Sequence, residues 1–256
     1  MNALVPLIET KNLTMRFGGV VAVNNVTFTL REGELRCLIG PNGAGKSTFF
    51  KMLTGQLKPT SGTITLRQEA VAGNAPHEIA RRGVGIKTQT PSVFDGLTVR
   101  ENIWIAAARK YIKTNADDVT ERILDRVQLR ELASRLVGEL AHGQRQWVEI
   151  GTVLAGEPDL ILLDEPAAGM TDAEVERTVE IIKEINQAQA LIVVEHDMQF
   201  IKRIAKTVTV FHQGAILMED TIDAVLADSR VRDVYLGKDL LGKTPHVAPL
   251  HQEVRP

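Results

Sequence analysis

The polarity pattern of the chain changes character twice. Over the first third, Leu7–Lys11, Val21–Leu30 and Thr63–Leu66 are short extended segments, several with alternating polarity, set off by Gly-Gly, Glu-Gly and Ser-Gly turns; they predict strands. In the middle, Val99–Tyr111 and Ala116–Val127 carry apolar residues at helical spacing, and Val119, Ile123, Leu124 and Val127 share one face. Towards the end, Asp159–Leu163 and Ala190–Val194 are continuous apolar runs, the pattern of strands buried on both faces. Between them Asp172–Gln187 aligns Val175, Val179, Ile182 and Ile185 on one stripe, and Thr171 and Glu174 have the spacing of a capping box. This strand–helix–strand rhythm predicts a parallel α/β core. From Lys238 onward Gly242, Pro245, Pro249 and Pro256 interrupt any period, so residues 238–256 are expected to form a mobile extension.

The strongest chemical signal is Gly40-Pro41-Asn42-Gly43-Ala44-Gly45-Lys46-Ser47-Thr48, which matches a phosphate-binding loop, G-x-x-x-x-G-K-[ST], at every fixed position. Glycines let backbone N–H groups turn inward onto phosphate oxygens. Lys46 is expected to reach the β- and γ-phosphates and Ser47 to bind Mg²⁺. The flanks agree: Glu34–Ile39 reads as a strand entering the loop and Ser47–Leu53 as a helix leaving it, whose N-terminus favours an anion. The plainer alternative is a glycine-rich turn that ends a strand.

Asp164 and Glu165 close the run Leu160–Leu163, at the C-terminal end of a buried strand, where α/β folds place ligands. Asp164 is expected to hold Mg²⁺, directly or through water, and Glu165 to polarise an attacking water. Alone, the pair reads equally well as two solvated carboxylates. Leu140-Ala141-His142-Gly143-Gln144 precedes a helix running through Ala155; Gly143 permits close backbone approach, and Trp147, Ile150 and Leu154 read as that helix's core face. His196 follows the second apolar run, beside acidic groups, in a place that suits either structure or catalysis.

Composition narrows the setting. The 256 residues suffice for one well-buried core or a core with a subdomain, and 44% apolar with 24% charged residues is ordinary for a globular protein. A formal charge of −2 without a basic stripe argues against nucleic acid as a partner. Cys37 is the single cysteine, which excludes an intrachain disulfide; in a strand it reads as a buried, inert thiol. No apolar run nears the ~18 residues of a membrane span, and Met1–Pro6 does not look like a signal peptide, so a cytosolic protein acting at a membrane only through a partner is expected.

Taken in order, these motifs resemble those of ATP-binding-cassette (ABC) ATPases over about residues 7–237. They are an aromatic at Phe17, the phosphate loop at 40–48, Gln89 of the Q-loop, the signature 140–144, the Asp164/Glu165 pair, a D-loop near 167–172 and the switch histidine His196. The resemblance implies an α/β P-loop NTPase fold: a parallel-sheet core, an antiparallel β subdomain and a helical subdomain at about 90–157 within a domain of residues 1–237. It implies that adenine stacks on Phe17 and that two ATP molecules lie in a head-to-tail dimer. The phosphate loop of one subunit would face Ala141, His142, Gly143 and Gln144 of the other. It further implies that Gln89 senses Mg²⁺ and the γ-phosphate, and that His196 positions Glu165 or the water. The partners implied are integral membrane permease subunits, a second identical or different ATPase subunit, and an extracytoplasmic solute-binding protein. The place implied is the cytoplasmic face of the inner membrane.

Phe17–Val23 and Asp164–Met170 are similar to the branched-chain amino acid importer branch. Met170–Glu174, His142–Trp147 and Val234–Gly237 look more like the urea importer subunit within it, so urea is the expected solute and branched-chain amino acids the alternative. Thr90–Leu97 is expected to help form the groove for a membrane-subunit helix, with Phe94 either in that contact or in the local core. Three positions depart from the family pattern. Ala141 replaces the usual signature serine, Thr171 stands at the usual D-loop aspartate, and Ile86-Lys87-Thr88 lacks the usual aromatic before Gln89. The first two leave open a nucleotide-binding regulatory subunit, and a soluble ABC protein acting on DNA or ribosomes is the other rival.

Overall fold

A computed structural model of the chain describes residues 5–236 apart from Pro91. The extension expected at 238–256, and Gly237 of the Val234–Gly237 string, lie outside these residues. The chain opens with an antiparallel hairpin of β1 (Ile8–Phe17) and β2 (Val20–Leu30), then enters the central sheet as β3 (Leu35–Ile39). Helix α1 (Lys46–Leu53) follows the phosphate loop. β4 (Ser61–Leu66) and the two-residue β5 (Glu69–Ala70) complete a four-stranded sheet in the order β2-β1-β4-β5. Then come α2 (Pro76–Arg81), β6 (Val84–Lys87), and the helices α3 (Val99–Ala108), α4 (Lys113–Arg126) and α5 (His142–Leu154). The chain returns through β7 (Leu160–Asp164), α6 (Asp172–Ile185), β8 (Ala190–Val194) and α7 (Met198–Ile204), and then runs through β9 (Thr207–His212), β10 (Ala215–Thr221) and α8 (Ile222–Ala227).

The six-stranded sheet runs β10-β9-β3-β8-β7-β6; its pairs are parallel except the β9–β10 hairpin at the edge. The continuous apolar runs have a simple cause: each face of this sheet has its own core. Ile161 and Leu163 of β7 and Leu191 and Val193 of β8 pack with α3–α7, while Leu160, Leu162, Ile192 and Val194 pack with α1 and the four-stranded sheet. β7, covered on both sides, carries no polar residue until it ends on Asp164.

Some boundaries moved. β1 continues six residues past the predicted Lys11, because register shifts around Leu13 and Met15 bury three successive residues there and erase the period of two. The β9–β10 hairpin was not foreseen. Its turn, Gln213-Gly214, has positive φ at both residues, but it lacks the Asn-Gly or Asp-Gly pair that announces such turns in sequence. The predicted core face of α5 is real: Trp147, Ile150 and Leu154 are buried. Phe94 is 58% exposed, which removes its core reading.

Candidate functional site

The phosphate loop joins β3 to α1, and its shape is set by packing behind it. Helix α1 is anchored by Phe49, Phe50, Met52 and Leu53, with Phe49 against the rings of Phe28 and Phe211. Gly45 starts the helix with φ of 102°, and a Cβ there would sit 2.5 Å from the Ala22 carbonyl oxygen, so only glycine fits. Glycine also brings no capping side chain, and the first turn of α1 holds no acidic residue. Its N–H groups and positive end are therefore left for an anion. Pro41, Asn42, Gly43 and Ala44 form the arch, with Ala44 buried beneath it and Ser47 and Thr48 in the first turn of the helix. The Lys46 ammonium donates to the carbonyl oxygens of Gly40 (2.6 Å) and Pro41 (3.0 Å), folding across the loop mouth. Burial pushes its pKa down, against the pull of Glu165 and Asp164.

Asp164 and Glu165 lie opposite. Asp164 is buried, and its carboxyl pKa is raised by burial first and by Glu165 second, with Lys87 and Lys46 opposing. Its Oδ1 is buried without a hydrogen-bond partner. A buried, unpartnered carboxylate oxygen facing a lysine and a phosphate loop is the donor that a hard divalent cation takes. Glu165 adopts φ of +47°, a left-handed conformation that costs a non-glycine residue about 1–2 kcal/mol. Its N–H donates to Val194 O at 2.9 Å, which holds the turn. The chain thus leaves β7 abruptly and the Glu165 side chain turns towards His196, whose Nδ1 lies 3.5 Å from Glu165 Oε1.

The remaining predicted residues sit around this centre. Phe17 ends β1, is 47% exposed and pairs with Val20, just ahead of the Ala22 that packs on Gly45. An aromatic face is thus available on the hairpin that abuts the phosphate loop. Gln89 is exposed, two residues beyond β6. Ala141 is the N-cap of α5; it has no hydroxyl to offer, and its N–H donates to Gln144 Oε1 at 3.1 Å. His142 Nε2 lies 3.0 Å from Ala168 O, so the 140–144 segment touches the loop after Glu165 in the same chain. Thr171 caps α6 reciprocally with Glu174, as its spacing predicts.

Three features escaped the sequence reading. Lys87 and Glu149 form an ion pair at 3.7 Å, with side chains 1% and 3% exposed, between the strand leading to Gln89 and the signature helix. Burial drives both towards neutrality, lowering the lysine pKa and raising that of the glutamate. Glu174 presses its carboxylate on Gly143, filling the place a Cβ would take. The Thr171 N–H holds that carboxyl below its ordinary range, with the Thr171 hydroxyl and Gly143 N–H adding to the effect. Glu195 is buried immediately before His196. The odd Lys87 was visible in the sequence, but its partner lies 62 positions away and no local pattern names it.

Residues 23–168 match the protein family described as "ABC transporter". The chain belongs to that family. The ABC ATP-binding protein LivG of Salmonella typhimurium, described as a high-affinity branched-chain amino acid transport ATP-binding protein, is 37% identical over 251 residues, spanning 91% of this chain and 98% of LivG. BraF of Pseudomonas aeruginosa, with the same description, is 35% identical over 252 residues, 91% of this chain and 98% of BraF. Among solved ABC structures, the ADP conformation of the ATP-binding cassette MJ1267 superposes with a TM-score of 0.82 at 28% identity, covering 91% of this chain and 99% of that one. A nucleotide-free ABC cassette gives 0.80 at 27% identity, covering 91% and 100%. The expected ABC ATPase fold is thus borne out. As an ABC ATPase the chain binds ATP and couples its hydrolysis to transport.

Proposed function

We propose that this chain is the ATP-hydrolysing subunit of an importer for branched-chain amino acids. The hydrolytic part rests on one observation: Lys46, Asp164, Glu165 and His196 converge at the C-terminal ends of β3, β7 and β8. In this reading the loop N–H groups and Lys46 hold the β- and γ-phosphates. Phe17 stacks on adenine, and Ser47, Gln89 and the orphaned Asp164 Oδ1 hold Mg²⁺. When bound, Mg²⁺ neutralises charge developing on the phosphate oxygens. Glu165 accepts hydrogen bonding from the attacking water, and His196 fixes Glu165 and reaches the γ-phosphate. Ala141, His142, Gly143 and Gln144 meet the nucleotide of a second ATPase subunit in a head-to-tail dimer. Ala141 brings no hydroxyl, so backbone N–H groups of α5 supply that contact.

No helix among the described residues is long and apolar enough to cross a membrane. Solute passage therefore falls to membrane permease subunits, with this chain at their cytoplasmic face and a solute-binding protein outside. Exposed Phe94 offers an apolar contact for such a subunit. The relatives' descriptions support branched-chain amino acids as the solute. Urea is the second reading, favoured by Met170–Glu174 and His142–Trp147. Uptake of radiolabelled leucine and urea by source cells with and without the gene separates them: loss of leucine uptake alone supports the proposal, and loss of urea uptake alone overturns it for the second reading. Glu165→Gln should trap an ATP-bound dimer with hydrolysis down at least ~100-fold; parent-like hydrolysis would remove Glu165 from its role.

A further inference from the structure

The sequence places Glu195 directly after an all-apolar strand, where a carboxylate is expensive unless its oxygens are matched. They are matched by two different loops. Oε1 accepts from Ala167 N–H at 3.3 Å, in the loop that follows Glu165. Oε2 accepts from His196 N–H at 3.0 Å and Asp197 N–H at 3.4 Å. Burial raises the Glu195 pKa, and those three backbone N–H groups together with His196 oppose the rise. A helix-capping role is already filled, because Asp197 Oδ1 accepts from Gln199 and Phe200 at the start of α7. Glu195 Oε2 also lies 3.9 Å from His196 Nδ1, beneath the 3.5 Å approach of His196 to Glu165.

We propose that Glu195 is a positioning residue for ATP hydrolysis: its buried carboxylate ties the Ala167 loop to the His196 loop and so sets His196 against Glu165. This rests on the reading of Glu165 and His196 as the hydrolytic pair. The two loops approach from the ends of neighbouring strands, β7 and β8, and the carboxylate spans them with one oxygen for each. Glutamine has the same shape but a single acceptor. In Glu195→Gln the amide nitrogen must face an N–H of one loop, so one tie is lost while volume is kept. Aspartate keeps both acceptors but withdraws them by one methylene.

The test is a double-mutant cycle on the assembled transporter, measuring kcat and KM for ATP together with the thermal midpoint. Glu195→Gln is expected to lower kcat at least tenfold, with KM within about twofold of the parent. In a His196→Ala background the same change should cost less than threefold, because the residue to be positioned is gone. A fall in thermal midpoint with kcat unchanged makes Glu195 structural and overturns the proposal. Equal losses in both backgrounds also overturn it. If His196→Ala keeps full kcat, the underlying pair falls and the positioning role with it. If His196→Ala loses kcat while Glu195→Gln does not, only the positioning role falls. Should Glu195→Gln fail to fold, Glu195→Asp is read against the same outcomes.

Discussion

Removing Lys87 should destabilise the protein far more than removing both Lys87 and Glu149. At 3.7 Å and an effective dielectric of ~20, the attraction is about 332/(20 × 3.7), or ~4.5 kcal/mol. Desolvating two ions costs several kcal/mol each, so the net contribution of the intact pair is near zero. Lys87→Met cancels the attraction and leaves Glu149 buried, with Asp164 and Glu195 also deprived of a neighbouring cation. The expected loss is ~3–5 kcal/mol, or about 6–20 °C in thermal midpoint for a chain of this size. The loss should shrink as the pH falls, because a lone Glu149 with a raised pKa takes up a proton and is no longer charged. The double variant Lys87→Met/Glu149→Leu should return to within ~1 kcal/mol of the parent. Urea unfolding of the parent, both single variants and the double variant at pH 8 and pH 6 gives the full cycle. A Lys87→Met variant within 1 kcal/mol of the parent at pH 8, or a double variant as unstable as the sum of the singles, would refute the reasoning.

Two further outcomes follow from the site. The folded-state pKa of Asp164 is raised, so its ionisation opposes folding above that value and the opposition disappears as the pH drops towards 3.8. Asp164→Asn should therefore raise the thermal midpoint of the nucleotide-free protein at pH 8, lose that advantage near pH 4, and weaken Mg²⁺-dependent more than Mg²⁺-free ATP binding; a lower midpoint at pH 8 would contradict this. Phe17→Ala should weaken ATP binding by ~1–3 kcal/mol, measured by calorimetry, while Phe17→Trp retains it; equal affinity for all three would leave adenine stacked elsewhere.

What could be read from the chain followed the range of each interaction. The phosphate loop, the buried strands β7 and β8 and the Thr171–Glu174 cap are written in neighbouring residues, and all three were legible. The two-faced sheet was legible because burial on both sides leaves an unbroken apolar run. The β9–β10 hairpin was not, since Gln213-Gly214 carries a weak turn signal. The acidic ties were missed for a different reason. Glu149 pairs with Lys87 of β6, Glu174 presses on Gly143 of α5 beyond its local cap, and Glu195 reaches across to Ala167; a glutamate in sequence looks the same whether or not it makes such a distant contact.

Cys37 gives the molecule an internal clock. It is the chain's one thiol, it is fully buried in β3, and burial first and Glu195 second push its pKa up. Alkylating reagents attack thiolates, so modification waits until the central sheet opens. Labelling of Cys37 therefore reports large-scale opening of the sheet without an engineered probe. When openings are rare and closing is fast, the labelling rate follows the open fraction, and a ligand held only by the closed form lowers that rate by a factor of 1 + [L]/Kd. Nucleotide affinity can thus be read from a reaction that takes place in the sheet and never at the phosphate loop.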